Sequence, residues 1–116
     1  IFALRATFPL VGRDWPRTDL PGDPEGLAAR LDWSAERIGT LTSGDFAGAE
    51  TRPIAHRAGH ADLVQPGAEY LLRFALPNLW FHLSMAFAIL RAEGLDIGKA
   101  DFDGLHAYPA GFSFVR

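Results

Sequence analysis

Asn78 and His82 stand four residues apart in a run, Tyr70 to Gly94, that is otherwise mostly apolar. An imidazole and a carboxamide one helical turn apart can ligate a metal ion, hold a small ligand by hydrogen bonds, or satisfy nearby groups inside a core. At helical period Leu71, Ala75, Asn78, His82, Met85 and Ile89 share one face, so both polar groups fall in an apolar stripe. Burying either without a partner costs about 1 to 3 kcal/mol, which makes the pair the first candidate ligand-binding site. The plainer alternative is structural. Pro77 shapes the helix, Asn78 caps a carbonyl that the proline leaves free, and His82 donates one hydrogen bond across a core.

Other reactive side chains are less suggestively placed. His56 and His60 are also four apart, but Arg57, Ala58 and Gly59 between them read as a turn, and Arg57 would repel a cation. Asp101, Asp103 and Gly104 look like the start of a calcium loop, yet residues 105 to 109 add no carboxylate, so a solvated turn is expected. The absence of cysteine removes thiol catalysis, disulfides and thiolate metal sites. Ser34, Ser43, Ser84 and Ser113 have no histidine at an interpretable spacing, and the glycines form neither a phosphate-cradling loop nor a dinucleotide fingerprint. With a formal charge of −3 and scattered Lys and Arg, the chain offers nucleic acid no basic track.

The elements that must carry these groups are marked by local signals. At 116 residues and 48% hydrophobic content the chain suits one domain with an ordinary core. Asp23 is an N-cap, Pro24 the first helical residue, and Leu27, Leu31, Ala35 and Ile38 an apolar stripe that should face the core, with Arg30, Glu36 and Arg37 toward water. Before it, Val11 to Gly22 reads as a linker; after it, Gly39 weakens the helix end. Thr51 to Ile54 and His60 to Val64 should pair as a short β-hairpin turned at Arg57 to Gly59, with Pro53 on an edge. Pro66 and Gly67 then break the chain, and the long helix follows with a kink expected at Pro77.

The two ends complete the outline. Ile1 to Phe8 reads as the tail of a helix whose beginning is missing. From Leu105 on, His106, Tyr108, Phe112 and Phe114 alternate with Pro109 and Gly111, which forbids a helix and suggests a strap over the domain or against a second subunit, with Phe112 and Phe114 on one side. Between Arg73 and Arg91 lie 17 residues without formal charge, near the lower limit for crossing ~30 Å of hydrocarbon. Pro77, Asn78, His82 and Ser84 favour a buried helix of a soluble protein instead.

The text from Glu69 through Phe81 and His82, continued by Ala88 to Gly94 and Ile97 to Gly104, resembles an uncharacterised bacterial domain-of-unknown-function family of the DinB/YfiT-like helical bundles. The resemblance is specific from about Glu69 to Gly104, weaker back to about Pro24, and has no counterpart for Ala107 to Arg116. It implies a mainly all-α, up-down bundle whose opening helices this chain lacks. In metal-binding DinB-like proteins this helix carries two histidines one turn apart. His82, nine residues before Arg91, falls on the second, Asn78 falls on the first, and no residue matches the third ligand.

Two functional readings follow. One is a cytoplasmic, homodimeric module with a degenerate metal site and no cofactor, binding a small molecule or a protein through Asn78 and His82, with neither nucleic acid nor membrane as partner. The homodimer is what the resemblance implies, since such bundles often pair, together with Trp80, Phe81 and Phe87, which point where a single stripe cannot cover them. The other is a metal-dependent hydrolase or transferase with His82 as one ligand.

Overall fold

The computed structural model describes residues 1–112, which are mainly helical with one two-stranded sheet. Helix α1 (Phe2–Thr7) tightens into a 3₁₀ turn, Phe8–Val11, ended by Gly12 at φ 72°. Helix α2 (Pro24–Gly39) begins as its local signals require: Gly26 N donates to Asp23 Oδ1 at 2.7 Å and Pro24 occupies the first turn. Only glycine fits at Gly26, where a Cβ would lie 2.4 Å from the Pro21 carbonyl oxygen. In the following 3₁₀ turn, Ser43–Phe46, Asp45 Oδ2 accepts from Thr42 N at 2.8 Å and from Thr42 Oγ1 at 2.7 Å.

The face that α2 presents inward is not the expected one. Leu27 and Leu31 remain 48% and 72% exposed, whereas Ser34 is buried and Arg30 half-buried. The carbonyls of Leu20 and Pro21 lie against this side of the helix and need donors, and the Arg30 guanidinium supplies them, reaching Pro21 O at 3.3 Å as well as Leu20 O. Ser34 Oγ turns back to donate to Arg30 O at 2.7 Å. Gly26, Arg30 and Ser34 thus form the inner stripe, four residues apart.

The hairpin is present with a different register. Strands β1 (Pro53–Ala58) and β2 (Ala61–Pro66) pair antiparallel, with Ala58 opposite Ala61 and Pro53 opposite Pro66. The loop is therefore Gly59 and His60, not Arg57 to Gly59. Gly59 has φ 62° and no described non-glycine residue has positive φ, the sign pattern of a type II′ turn, which suits the strands' twist. The prolines meet at the open end, where their missing N–H groups are not needed.

From Gly67 the chain is helical to Ala92: α3 (Gly67–Glu69), a π-helical segment Tyr70–Ala75, and α4 (Leu76–Ala92). Pro77 offers no N–H to the turn before it, and the irregular bonding lies immediately upstream of that gap. Gly67 lets the helix start against the preceding loop. A Cβ there would come within 1.9 Å of Ala49 O, and Ala68 N donates to Glu50 O at 2.9 Å.

Two compact units result, Ile1–Trp80 and Phe81 onward. The first contains the core: Ala6, Leu10, Ala49, Ile54, Tyr70 and Ala75, flanked by Phe46, Leu71 and Phe74. The second contains most of α4 and the short helix α5 (Lys99–Asp103), whose Phe102 ring meets Phe87 edge to face at 5.2 Å. Asp101 Oδ2 caps α5 by accepting from Gly98 N at 2.8 Å, and Asp103 Oδ1 accepts from Leu105 N and His106 N at 2.9 and 3.0 Å. The acidic pair therefore starts and stops a helix. Residues 105–112 are not helical, and Tyr108 and Phe112 stack at 4.8 Å. Phe114 lies outside the described residues. No helix of the described residues is long and apolar enough to cross a membrane.

Candidate functional site

Asn78 and His82 do not form a buried polar pair. Asn78 is half-buried and spends its amide locally, Nδ2 donating to Phe74 O at 2.7 Å; His82 is exposed, its ring 5.3 Å from Phe81. The polar side chain thus serves the helix backbone beside Pro77, on the Phe74 carbonyl and not on the Arg73 carbonyl that the proline deprives of its α-helical donor. Among the described residues no three His, Asp or Glu side chains converge to hold a metal ion. The donors fit a metal poorly: the amide at the first ligand position is occupied, and among the described residues no group of three ligands forms.

The second histidine pair is also split. His60 is exposed in the hairpin turn, while His56 is half-buried on β1, on the same side of the strand as the core residue Ile54. His56 Nε2 lies 2.8 Å from Gln65 Oε1, and its ring packs 4.2 Å from Phe74 and 5.0 Å from Tyr70. With the Gln65 amide oxygen placed opposite it, the ring is assigned with its hydrogen on Nε2, which makes Nδ1 the acceptor. That Nδ1 is buried without a hydrogen-bond partner.

His56 lines a cavity of about 480 Å³ within the first unit, together with Arg5, Trp15, Arg52, Tyr70 and Phe74. Each wall has a local cause. Tyr70 sits one turn into the long helix and donates from its hydroxyl to Arg5 O at 2.6 Å, fastening α1 beside the hairpin. Burial pushes the Tyr70 phenol above its ordinary pKa, against the opposing pull of the Arg5 charge. Trp15, in the linker, is covered by the guanidinium groups of Arg5 at 5.8 Å and Arg17 at 5.1 Å. Arg52 donates to Leu10 O and, at 3.1 Å, to Ala47 O, closing the floor.

This cavity joins residues from Arg5 to Phe74, and only the alternation of Ile54 and His56 along a strand signals from sequence that the imidazole faces inward. Chemically it offers the rings of Trp15, Tyr70 and Phe74 and positive charge from its arginines. No nucleophile paired with a base stands on its walls.

The relatives agree with this fold. A family model described as Domain of unknown function (DUF1993) matches residues 3–103. Among solved structures, a DinB family member protein from Shewanella denitrificans is similar at 28% identity and a TM-score of 0.80, covering 94% of this chain and 62% of that one. The chain thus spans somewhat under two thirds of that relative's length. No curated protein matches it. With nearly all of its helices and its hairpin inside the matched span, the chain belongs to the DUF1993 family, an uncharacterised DinB-like family.

Proposed function

We propose that this chain is a single cytoplasmic DinB-like domain, an up-down helical bundle kinked at Pro77, that binds a small molecule without transforming it. The observation that carries the reading is the cavity between α1, the hairpin and the π-helical segment, whose volume suits a small organic ligand and whose walls bring the rings of Trp15, His56, Tyr70 and Phe74 beside four arginines. A ligand at Asn78 and His82 would compete with the Asn78 bond to the Phe74 carbonyl, so the cavity is the better host. The test is a ligand-observed NMR screen with a fragment set, repeated on His56→Trp, whose larger ring stands on the inward side of β1 and takes up cavity space. Fragments should bind the wild type and be lost in the variant. Silence from the whole set, or hits that survive His56→Trp, would remove the reading.

A second role rests on another observation. Phe81, Met85 and Ile89 of α4 are 61%, 48% and 56% exposed, more apolar surface on one helix than a solitary domain ordinarily leaves in water. We propose that a second copy of the chain covers them. Light scattering on a size-exclusion column should give twice the chain mass, and a monomer at high concentration would remove the dimer.

A further inference from the structure

We infer that the free edge of β1 takes an extended acidic peptide segment, which adds to the hairpin as a third strand. Such a guest bonds to main chain at the rim of the cavity, so it does not depend on the small-molecule reading above. The two-residue turn decides which groups are free. Ala58 and Ala61 close it as a hydrogen-bonded pair, so His56 with Leu63 and Ile54 with Gln65 are bonded pairs too, and Pro53, Ala55 and Arg57 fall between them. The N–H groups of Ala55 and Arg57 and the carbonyls of Pro53, Ala55 and Arg57 therefore point away from β2. All three residues are exposed, and among the described residues no loop backbone bonds to them. An edge of this kind is a template for another strand.

The edge opens on the cavity. Every residue from Arg52 to Arg57 lines it, whereas a cavity over one face of a strand would meet alternate residues, and no residue of β2 takes part. About 480 Å³ lies beside the edge, where an added strand would run about 4.8 Å from β1. Charge then selects the guest. Arg5, Arg13, Arg52 and Arg57 share the lining with Asp14, so a second copy of this edge would bring like charges together, and a carboxylate-bearing strand opposite ones. Arg13 and Arg57 already face Asp45 at 2.5 Å and Asp62 at 3.7 Å, but in solvent-exposed pairs that contribute little and can be exchanged for a guest's carboxylates. Side chains of the guest alternate between the His56 side, where Tyr70 and Phe74 pack, and the Arg57 side. Alternating apolar and acidic residues suit both.

The probe is acetyl-Glu-Val-Glu-Val-Glu-amide, titrated by calorimetry beside its lysine counterpart and beside the same acidic peptide N-methylated at every amide. The acidic peptide should bind saturably, and the other two should be weaker by about ten-fold or more, one through charge and one through lost main-chain donors. Ala55→Pro removes an outward N–H and leaves the ladder to β2 intact, so it should weaken the peptide about ten-fold; Val64→Pro, the matching change on the opposite edge, should leave it within about two-fold. Thermal midpoints show whether both variants fold, and if Ala55→Pro does not, the N-methylated peptide decides alone. Equal binding of the lysine peptide overturns the acidic guest. Binding that survives N-methylation or a folded Ala55→Pro overturns the edge, and so does the absence of saturable binding by the acidic peptide. A light-scattering mass that Ala55→Pro lowers from dimer to monomer would put a second copy on the edge instead of the peptide.

Discussion

The unit from Ile1 to Trp80 and the unit from Phe81 onward are held by different kinds of contact. In the first, side chains reach far along the sequence to backbone carbonyls: Tyr70 to Arg5 over 65 residues, Arg52 to Leu10 over 42. In the second, the bonds of Asp101 and Asp103 reach two or three residues, and Phe81, Met85 and Ile89 lie bare along one helix. A long-range clasp ties the fate of one segment to that of another, whereas local caps hold only their own turn. The first unit should therefore unfold as a whole, and the second should tolerate substitution until something covers its apolar face.

The strongest way to break this comparison is Gly67→Ala. Its methyl would enter the space of the Ala49 carbonyl, so the loop, the helix start and the core must shift together. We expect about 3 kcal/mol or more of destabilisation and a thermal midpoint lower by roughly 10 °C or more. A midpoint near that of the wild type would mean that the join is soft and the unit less cooperative than described. Tyr70→Phe is smaller and sharper: removing the hydroxyl leaves the Arg5 carbonyl without that donor and should cost about 1 kcal/mol by urea denaturation. An unchanged denaturation midpoint would show that the clasp contributes nothing.

Asp45→Asn probes the same unit through pH. The Thr42 backbone N–H, then the Thr42 hydroxyl and the Arg13 charge, hold the Asp45 carboxyl below its ordinary value. A depressed folded pKa gives stability that is present above the unfolded value near 4 and is lost as pH falls through the lower folded one. The variant should melt below the wild type at pH 7, and the gap should close below about pH 4; a constant gap from pH 7 to 3 would show that charge is irrelevant there. The smallest expected effect is in the second unit. Ile89→Gln should move the midpoint by no more than about 0.5 kcal/mol equivalent in dilute protein while shifting the light-scattering mass toward the monomer. A large drop in monomer stability would mean that this surface is packed.

What could be read from the sequence was what short-range physics determines. Asp23 with Pro24 marks a helix start, Gly59 lies in a hairpin turn one residue later than expected, and the run from Tyr70 is a long helix that ends at Ala92, because each signal acts within a few residues of itself. The family resemblance over Glu69 to Gly104 lies within the span that its model matches. The inner face of α2 was not legible, since Leu27 and Leu31 carry the stronger pattern while Arg30 is drawn inward by two carbonyls in a linker without periodicity. The cavity was less legible still. Arg5, Trp15, His56 and Tyr70 are separate in sequence and unremarkable one by one, and only the clasp from Tyr70 to α1 brings them together.

The π-helical segment has a consequence for counting. Bonding from each residue to the fifth instead of the fourth takes about one more residue per turn, and one extra residue in an α-helix corresponds to a rotation of roughly 100°. A helical wheel drawn at constant pitch through residues 67–92 therefore goes out of phase within Tyr70–Ala75. Leu71, placed on one spoke with Asn78 by a constant pitch, does not share its azimuth. A single-residue deletion inside the segment would bring the pitch back to α and leave the later side chains at nearly the azimuth they now hold, whereas the same deletion in regular α-helix would turn them by roughly 100°.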